Sequence, residues 1–144
     1  KGLTILTPHH GEALRLAESL AIDTSESEHV WVSQIARKLK VLVAYKSAHG
    51  FIALPDGTFF FSDTTASALA TAGTGDVLAG LMGSLIARHS PTTHKQLAHI
   101  AMGAVILHSL AAQLSEENSV NATAFDIAHE IRNAISILQN LGEE

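Results

Sequence analysis

The stretch Ala70 to Gly83, Ala-Thr-Ala-Gly-Thr-Gly-Asp-Val-Leu-Ala-Gly-Leu-Met-Gly, constrains this chain more than any other. It is a small-residue turn that runs straight into a helix. Gly73 and Gly75 permit backbone conformations that side chains forbid, and they let a ligand approach the main chain. From Val77 the periodicity is helical, with Val77, Leu78, Leu81, Met82, Leu85 and Ile86 on one broad face. The free N–H groups of the first helical turn then point into the Gly-Thr-Gly loop, an arrangement suited to a phosphate. Asp76 is the sole charged residue between Ala66 and Ala87. Two roles are open to it: a first-turn carboxylate that complements the helix dipole, or a general base beside an anion-binding turn. No Gly-Lys-Ser/Thr follows the glycines, so the turn is not a P-loop, and the Gly-x-Gly-x-x-Gly spacing is also absent.

The 144 residues are 47% hydrophobic, enough for a real core in a single domain spanning residues 1–144. The formal net charge of −5 argues against a nucleic-acid surface. With no cysteine, disulfides and thiolate metal sites are excluded. No apolar run reaches the roughly 18–20 residues of a membrane span, and no signal-peptide pattern opens the chain. No membrane association and a cytoplasmic location are therefore expected.

Along the chain, Leu3–Leu6 reads as a strand, stopped at Thr7-Pro8. Residues 11–21 carry apolar positions at helical spacing, with His9, His10 and Glu12 in the loop before them, where α/β proteins place ligands. Two adjacent histidines chelate one metal poorly, so no metal site is expected there. Ser25-x-x-Glu28 reads as a capping box ahead of the Val32, Ile35, Ala36, Leu39 stripe. Arg37, Lys38 and Lys40 complement that helix's C-terminal end. A buried strand, Val41–Tyr45, ends at Lys46, a position that either faces solvent or meets a nucleotide phosphate. Phe51–Leu54, the turn Pro55-Asp56-Gly57 and Thr58–Phe61 form a hairpin. Ser62–Leu69 reads as a loop. Three helices follow: one to about His89, one capped by Thr92 or Thr93, and one opened by Thr123-x-x-Asp126.

Several of these segments together resemble the NAD(P)H-hydrate dehydratases of the ribokinase-like superfamily. Leu6-Thr7-Pro8-His9-His10-Gly11-Glu12 is similar to their Leu-Thr-Pro-His-Pro-Gly-Glu signature. Lys46 with Ser-Ala-His-Gly after it resembles their Lys-Gly-x-x-Thr nucleotide loop, and Pro55-Asp56-Gly57 matches their hairpin turn. Leu69 to Gly80 is similar to their most specific motif, and His108 matches the histidine of a late helix. Ser47 and Gly50 stand where the family has Gly and Thr. Ser62-Asp63-Thr64-Thr65-Ala66 replaces the usual Asn-Pro-x-Gly-Asn.

The resemblance implies the C-terminal part of a ribokinase-like three-layer α/β/α fold. It also implies a carbon–oxygen lyase that repairs hydrated NAD(P)H by removing water at the expense of ADP or ATP. Asp76 would take the proton of the ring hydroxyl and contact the hydrate. The amides of Gly73, Thr74 and Gly75 would hold the transferred phosphoryl group, with Gly75 also touching the nucleotide. Lys46, Ser47, Ala48, His49 and Gly50 would form the adenine-nucleotide loop, and His9 would lie on the hydrate side. Mg2+ would bridge phosphate oxygens. The resemblance begins in the middle of the family domain, which implies an exposed strand edge. Association with a missing N-terminal half or with further copies of the chain would cover it. A ribokinase-like sugar or hydroxyethylthiazole kinase would use the same Gly-Thr-Gly-Asp turn. A non-catalytic fragment or assembly module would keep the fold without the chemistry.

Overall fold

A computed structural model of the chain describes residues 2–46, 50–61, 66–119 and 121–141. The elements run β1 (Ile5–Leu6), α1 (His10–Ser19), α2 (Glu28–Leu39), β2 (Leu42–Tyr45), β3 (Phe51–Ala53), β4 (Phe59–Phe61), a 3-10 turn (Ser67–Ala70), α3 (Thr74–His89), α4 (His94–Asn118) and α5 (Ala124–Leu141). The chain divides into two compact units, residues 1–63 with 86–102, and residues 64–85 with 103–144.

The first unit is built on a four-stranded sheet in the order β1-β2-β3-β4. β1 lies parallel to β2, and β2, β3 and β4 are successively antiparallel. Strand alternation sorts the side chains by face. Val43, Tyr45, Phe51 and Ala53 share a core with Ala13 and Ala17 of α1 and with Trp31, Val32, Ile35 and Ala36 of α2. Leu42, Ala44 and Ile52 point the other way and are buried as well. Phe60, the cross-strand partner of Ile52, meets His99 of α4 on that side, with ring centroids 5.7 Å apart. A sheet covered on both faces explains why the β2 sequence is continuously apolar.

Sequence chemistry accounts for the joints. Gly57 takes φ +93° in the hairpin turn, Asp56 Oδ1 accepts from Thr58 N at 2.9 Å, and a Cβ on Gly57 would lie 2.8 Å from an Arg37 nitrogen. Lys40 ends α2 in the left-handed conformation, and Lys38 Nζ donates to the Leu20 carbonyl at 2.6 Å. Thr93 caps α4: its Oγ1 accepts from Gln96 N at 3.2 Å, and Gln96 Oε1 accepts from Thr93 N at 3.2 Å.

Three expectations are corrected. Ser25 makes no capping box; α2 starts at Glu28 with Ser27 as its N-cap, while Ser25 folds onto Asp23 through bonds of 2.9 Å from its N and Oγ. Part of the Ser62–Leu69 loop is the 3-10 turn from Ser67; residues 62–65 lie outside the described residues. α4 runs 25 residues with a mean hydropathy of 1.6 over its most apolar window, so by length and composition it could cross a membrane. The interspersed histidines and serines hid that length in the sequence. Leu97, Ala98, Ala101, Ala104, Ala111 and Ala112 of this helix are buried within the fold, as core helices are.

The second unit is helical. Ala68, Ala111, Ala112, Ile127 and Ala134 form its core, flanked by Leu69, Val77, Leu107, Leu110, Leu114 and Ile131. α5 opens with a reciprocal cap, Thr123 N donating to Asp126 Oδ2 at 2.8 Å and Asp126 N to Thr123 Oγ1 at 3.3 Å. That is the start expected at Thr123.

Candidate active site

The expected site residues fall in both units, and each cluster is described in its own frame. In the first unit, the ends of β1 and β2 bring His9 beside Lys46. The two form an isolated parallel bridge, with Lys46 N donating to the Pro8 carbonyl at 3.0 Å. His9 is not a free loop residue. It is the N-cap of α1: its Nδ1 accepts from Glu12 N at 3.3 Å, and Glu12 Oε2 accepts from His9 N at 2.8 Å. His10 and Glu12, expected in the loop, belong to the helix itself. The hydrogen bond from the His9 backbone holds the Glu12 carboxyl below its ordinary range, with smaller contributions from the charges of His9, Lys46 and Arg15. An open groove of about 480 Å³ runs along Leu6, Thr7, Pro8, Glu12, Arg15 and Leu16. Gly50 is half-buried just before β3. Ser47, Ala48 and His49 lie outside the described residues.

A second polar cluster next to His9 was not legible in the sequence. Tyr45 Oη donates to Glu28 Oε1 at 2.8 Å and lies 2.7 Å from His10 Nδ1, and His10 Nδ1 lies 3.1 Å from Glu28 Oε1. Burial first, and then Glu28, raise the Tyr45 hydroxyl well above its usual range. The hydroxyl is therefore a neutral donor at any working pH. The three residues are far apart in sequence, and Glu28 had a plausible local role as a cap, so no spacing rule could find the group.

In the second unit, the Gly-Thr-Gly-Asp motif forms the start of α3. Gly73 sits at φ +89°, and a Cβ there would approach Ala124 Cβ to 3.2 Å. Only glycine meets both conditions without strain. Thr74 is buried, and its Oγ1 donates to the Leu69 carbonyl at 2.9 Å. Ahead of the turn, Glu116 Oε1 accepts from Ser67 Oγ at 2.6 Å and from Ala68 N, and these bonds lower its carboxyl's pKa. The turn is thus tied down on its N-terminal side.

The first N–H groups of α3 are not equally available. Asp76 N and Val77 N both donate to the Gly73 carbonyl, at 3.0 and 3.2 Å, and Thr74 N reaches the Thr71 carbonyl at 3.4 Å. Among the described residues the N–H groups of Gly73 and Gly75 have no acceptor. Of the three amides expected to hold a phosphoryl group, Gly73 and Gly75 are free donors among the described residues and Thr74 is weakly engaged. The Asp76 side chain is exposed, immediately after the free Gly75 N–H. A half-free helix N-terminus with glycine in front and a solvent-facing carboxylate beside it can bind an anion and accept a proton.

The family model described as NAD(P)H-hydrate dehydratase matches residues 1–133. The chain belongs to this family. It is 30% identical over 132 residues to the ADP-dependent (S)-NAD(P)H-hydrate dehydratase of Bacillus subtilis, covering 91% of this chain and 45% of that protein. It is 32% identical over 136 residues to the enzyme of the same description from Neisseria meningitidis, covering 94% and 44%. The crystal structure of the Bacillus subtilis ADP/ATP-dependent NAD(P)H-hydrate dehydratase with ATP/Mg2+ matches with a TM-score of 0.78 at 27% identity, over 94% of this chain and 48% of that one. The ribokinase-like α/β fold expected from the sequence is therefore the fold of this chain. The chain spans just under half the length of these relatives.

Proposed function

We propose that this dehydratase chain carries the nucleotide-dependent half of an NAD(P)H-hydrate repair site. Its reaction would remove water from the hydrated nicotinamide ring, with ADP or ATP as phosphoryl donor. The observation that carries the reading is the start of α3: free N–H groups at Gly73 and Gly75, glycine enforced at 73 and the exposed Asp76 carboxylate, all within residues 73–76.

Each residue has a distinct task in this reading. Asp76 takes the proton of the ring hydroxyl as its oxygen attacks the terminal phosphorus of the nucleotide, and the shorter nucleotide leaves with the bonding pair. The Gly75 N–H, with the helix dipole behind it, faces the negative charge that builds on the transferred group. Phosphate then departs from the ring carbon with the C–O electrons, and loss of a neighbouring ring proton restores the double bond. Lys46 provides a cation for the nucleotide phosphates, with Ser47, Ala48, His49 and Gly50 as the adenine loop. His9, fixed by its cap to Glu12, lines the hydrate side. A free amide and a carboxylate suit a magnesium–phosphate group, and magnesium would supply charge neutralisation between phosphate oxygens.

Among the described residues β1 is paired on one side only, with β2. We infer that the active assembly covers its free edge, with the remaining half of the family domain or with another copy of the chain. We place the reaction in the cytoplasm. The test is to incubate the chain with NADH-hydrate, Mg2+ and either ADP or ATP, following NADH absorbance and nucleotide products together. Equal recovery of NADH and consumption of nucleotide supports the reading. Nucleotide bound with no NADH recovered on supplying the missing half contradicts it and favours a small-molecule kinase.

A further inference from the structure

Glu116 stands where its own helix disfavours it. It lies in the last turn of α4, next to Glu117, and that turn holds no basic residue. A carboxylate there meets the negative end of the helix dipole. Among the described residues Glu116 forms no ion pair that would offset this. A charge placed against the local rule points to a compensating partner elsewhere in the fold.

That partner is the 3-10 turn Ser67–Ala70, which leads into the Gly-Thr-Gly-Asp motif. The N-cap of the turn is Ala66, whose side chain has no acceptor for the turn's first N–H groups. Glu116 Oε1 supplies one from far along the chain, accepting from Ser67 Oγ at 2.6 Å and from Ala68 N. One oxygen thus takes donors from two consecutive residues, and both bonds favour the ionised carboxyl.

From this anchor a run of hydrogen bonds reaches α3. The Ala68 carbonyl accepts from Thr71 N at 3.1 Å, and the Thr71 carbonyl from Thr74 N at 3.4 Å. In parallel, the Leu69 carbonyl accepts from the hydroxyl of the buried Thr74 at 2.9 Å. Both routes end on Thr74, whose carbonyl shares a planar peptide unit with the Gly75 N–H. The seat of the 3-10 turn therefore sets the direction of that N–H.

We propose that Glu116 is a positioning residue: its carboxylate seats the Ser67–Ala70 turn and, through Leu69 and Thr74, aims the Gly75 N–H at the phosphoryl group. The inference rests on the anion-holding role proposed above for Gly75. It also explains why a second carboxylate is kept at the C-terminal end of α4.

The test separates reach from charge. Glu116→Gln keeps an oxygen at the same reach without the charge, whereas Glu116→Asp keeps the charge and falls short by one methylene. In the 15N-labelled chain, the free-state Gly75 amide resonance should move in Glu116→Ala and Glu116→Asp and stay close to the parent position in Glu116→Gln. Glu117→Gln, which removes a charge from the same helix end, should leave it in place. If the alanine variant does not fold, the aspartate and glutamine variants decide the matter. In the assembly competent for dehydration, Glu116→Asp should lower kcat about tenfold and leave the nucleotide KM within about twofold, while Glu116→Gln keeps most of the parental kcat. An unmoved Gly75 resonance in Glu116→Asp, or equal kcat in the aspartate and glutamine variants, would overturn the proposal. Failure of the parent Gly75 resonance to respond to ADP and magnesium would instead remove the anion-holding role, with the seating of the turn decided by the free-state shifts.

Discussion

At Gly73 two independent constraints meet, a φ of +89° and an Ala124 Cβ 3.2 Å from any added Cβ. Gly73→Ala should therefore lower stability by about 1–2 kcal/mol from the left-handed backbone alone, read as a lower urea midpoint with unchanged m. It should also displace the Gly75 amide that follows. His108 gives a pH signature. Burial lowers its folded pKa below 6.5, so as pH falls through the unfolded value, the unfolded chain takes up a proton that the folded chain refuses. Stability from this group is thus full above about 6.5 and is lost as pH falls towards the folded value. The carboxylates of Asp23, Asp56, Glu116 and Asp126 are lowered too, from 3.8 or 4.5, so their losses begin only at more acidic pH. Urea midpoints for the parent chain and His108→Asn should diverge as pH falls below about 6.5 and run parallel again below the lowered folded value. Parallel curves throughout would show that His108 titrates normally in the fold.

The elements were largely legible because their signals are local. Helical stripes, the Pro55-Asp56-Gly57 turn and the Thr93 and Thr123 caps each act within a few residues, and each stands where the sequence placed it. Thr123→Ala should accordingly cost about 1 kcal/mol, seen as a lower thermal midpoint with loss of helical signal concentrated in α5. Ser25→Ala should not disturb the start of α2, since Ser25 bonds Asp23 and not that helix. The misreadings share a cause. His9 is an uncommon cap, so the start of α1 looked like loop. Glu28 sits three residues after a serine, so a capping box looked sufficient, yet its carboxylate bonds Tyr45 across the sequence. Such long-range partners leave no periodic trace. Leu69 to Gly80 was readable as a glycine turn running into a helix, whereas which of its amides are free depends on bonds such as that from Asp76 N to the Gly73 carbonyl at 3.0 Å.

On the scale of the whole molecule, β1 has a free edge among the described residues, while Phe61, Phe125 and Leu141 are 58, 71 and 66% exposed. Apolar side chains and an unpaired strand edge of this kind favour association. Sedimentation of the isolated chain should show species larger than 15.2 kDa that diminish when the missing half of the domain is supplied. A monomer at all concentrations would contradict the covered-edge inference. The central claim is that the start of α3 performs nucleotide-dependent dehydration with Asp76 as base. Its most direct test is the recovery of NADH absorbance from NADH-hydrate, with ADP or ATP and Mg2+, by the assembled parent protein and by Asp76→Asn. The account predicts recovery that requires the nucleotide, and a fall of about 10²–10⁴-fold in the variant with nucleotide binding retained. Recovery at the parental rate in Asp76→Asn, or recovery without any nucleotide, would contradict it.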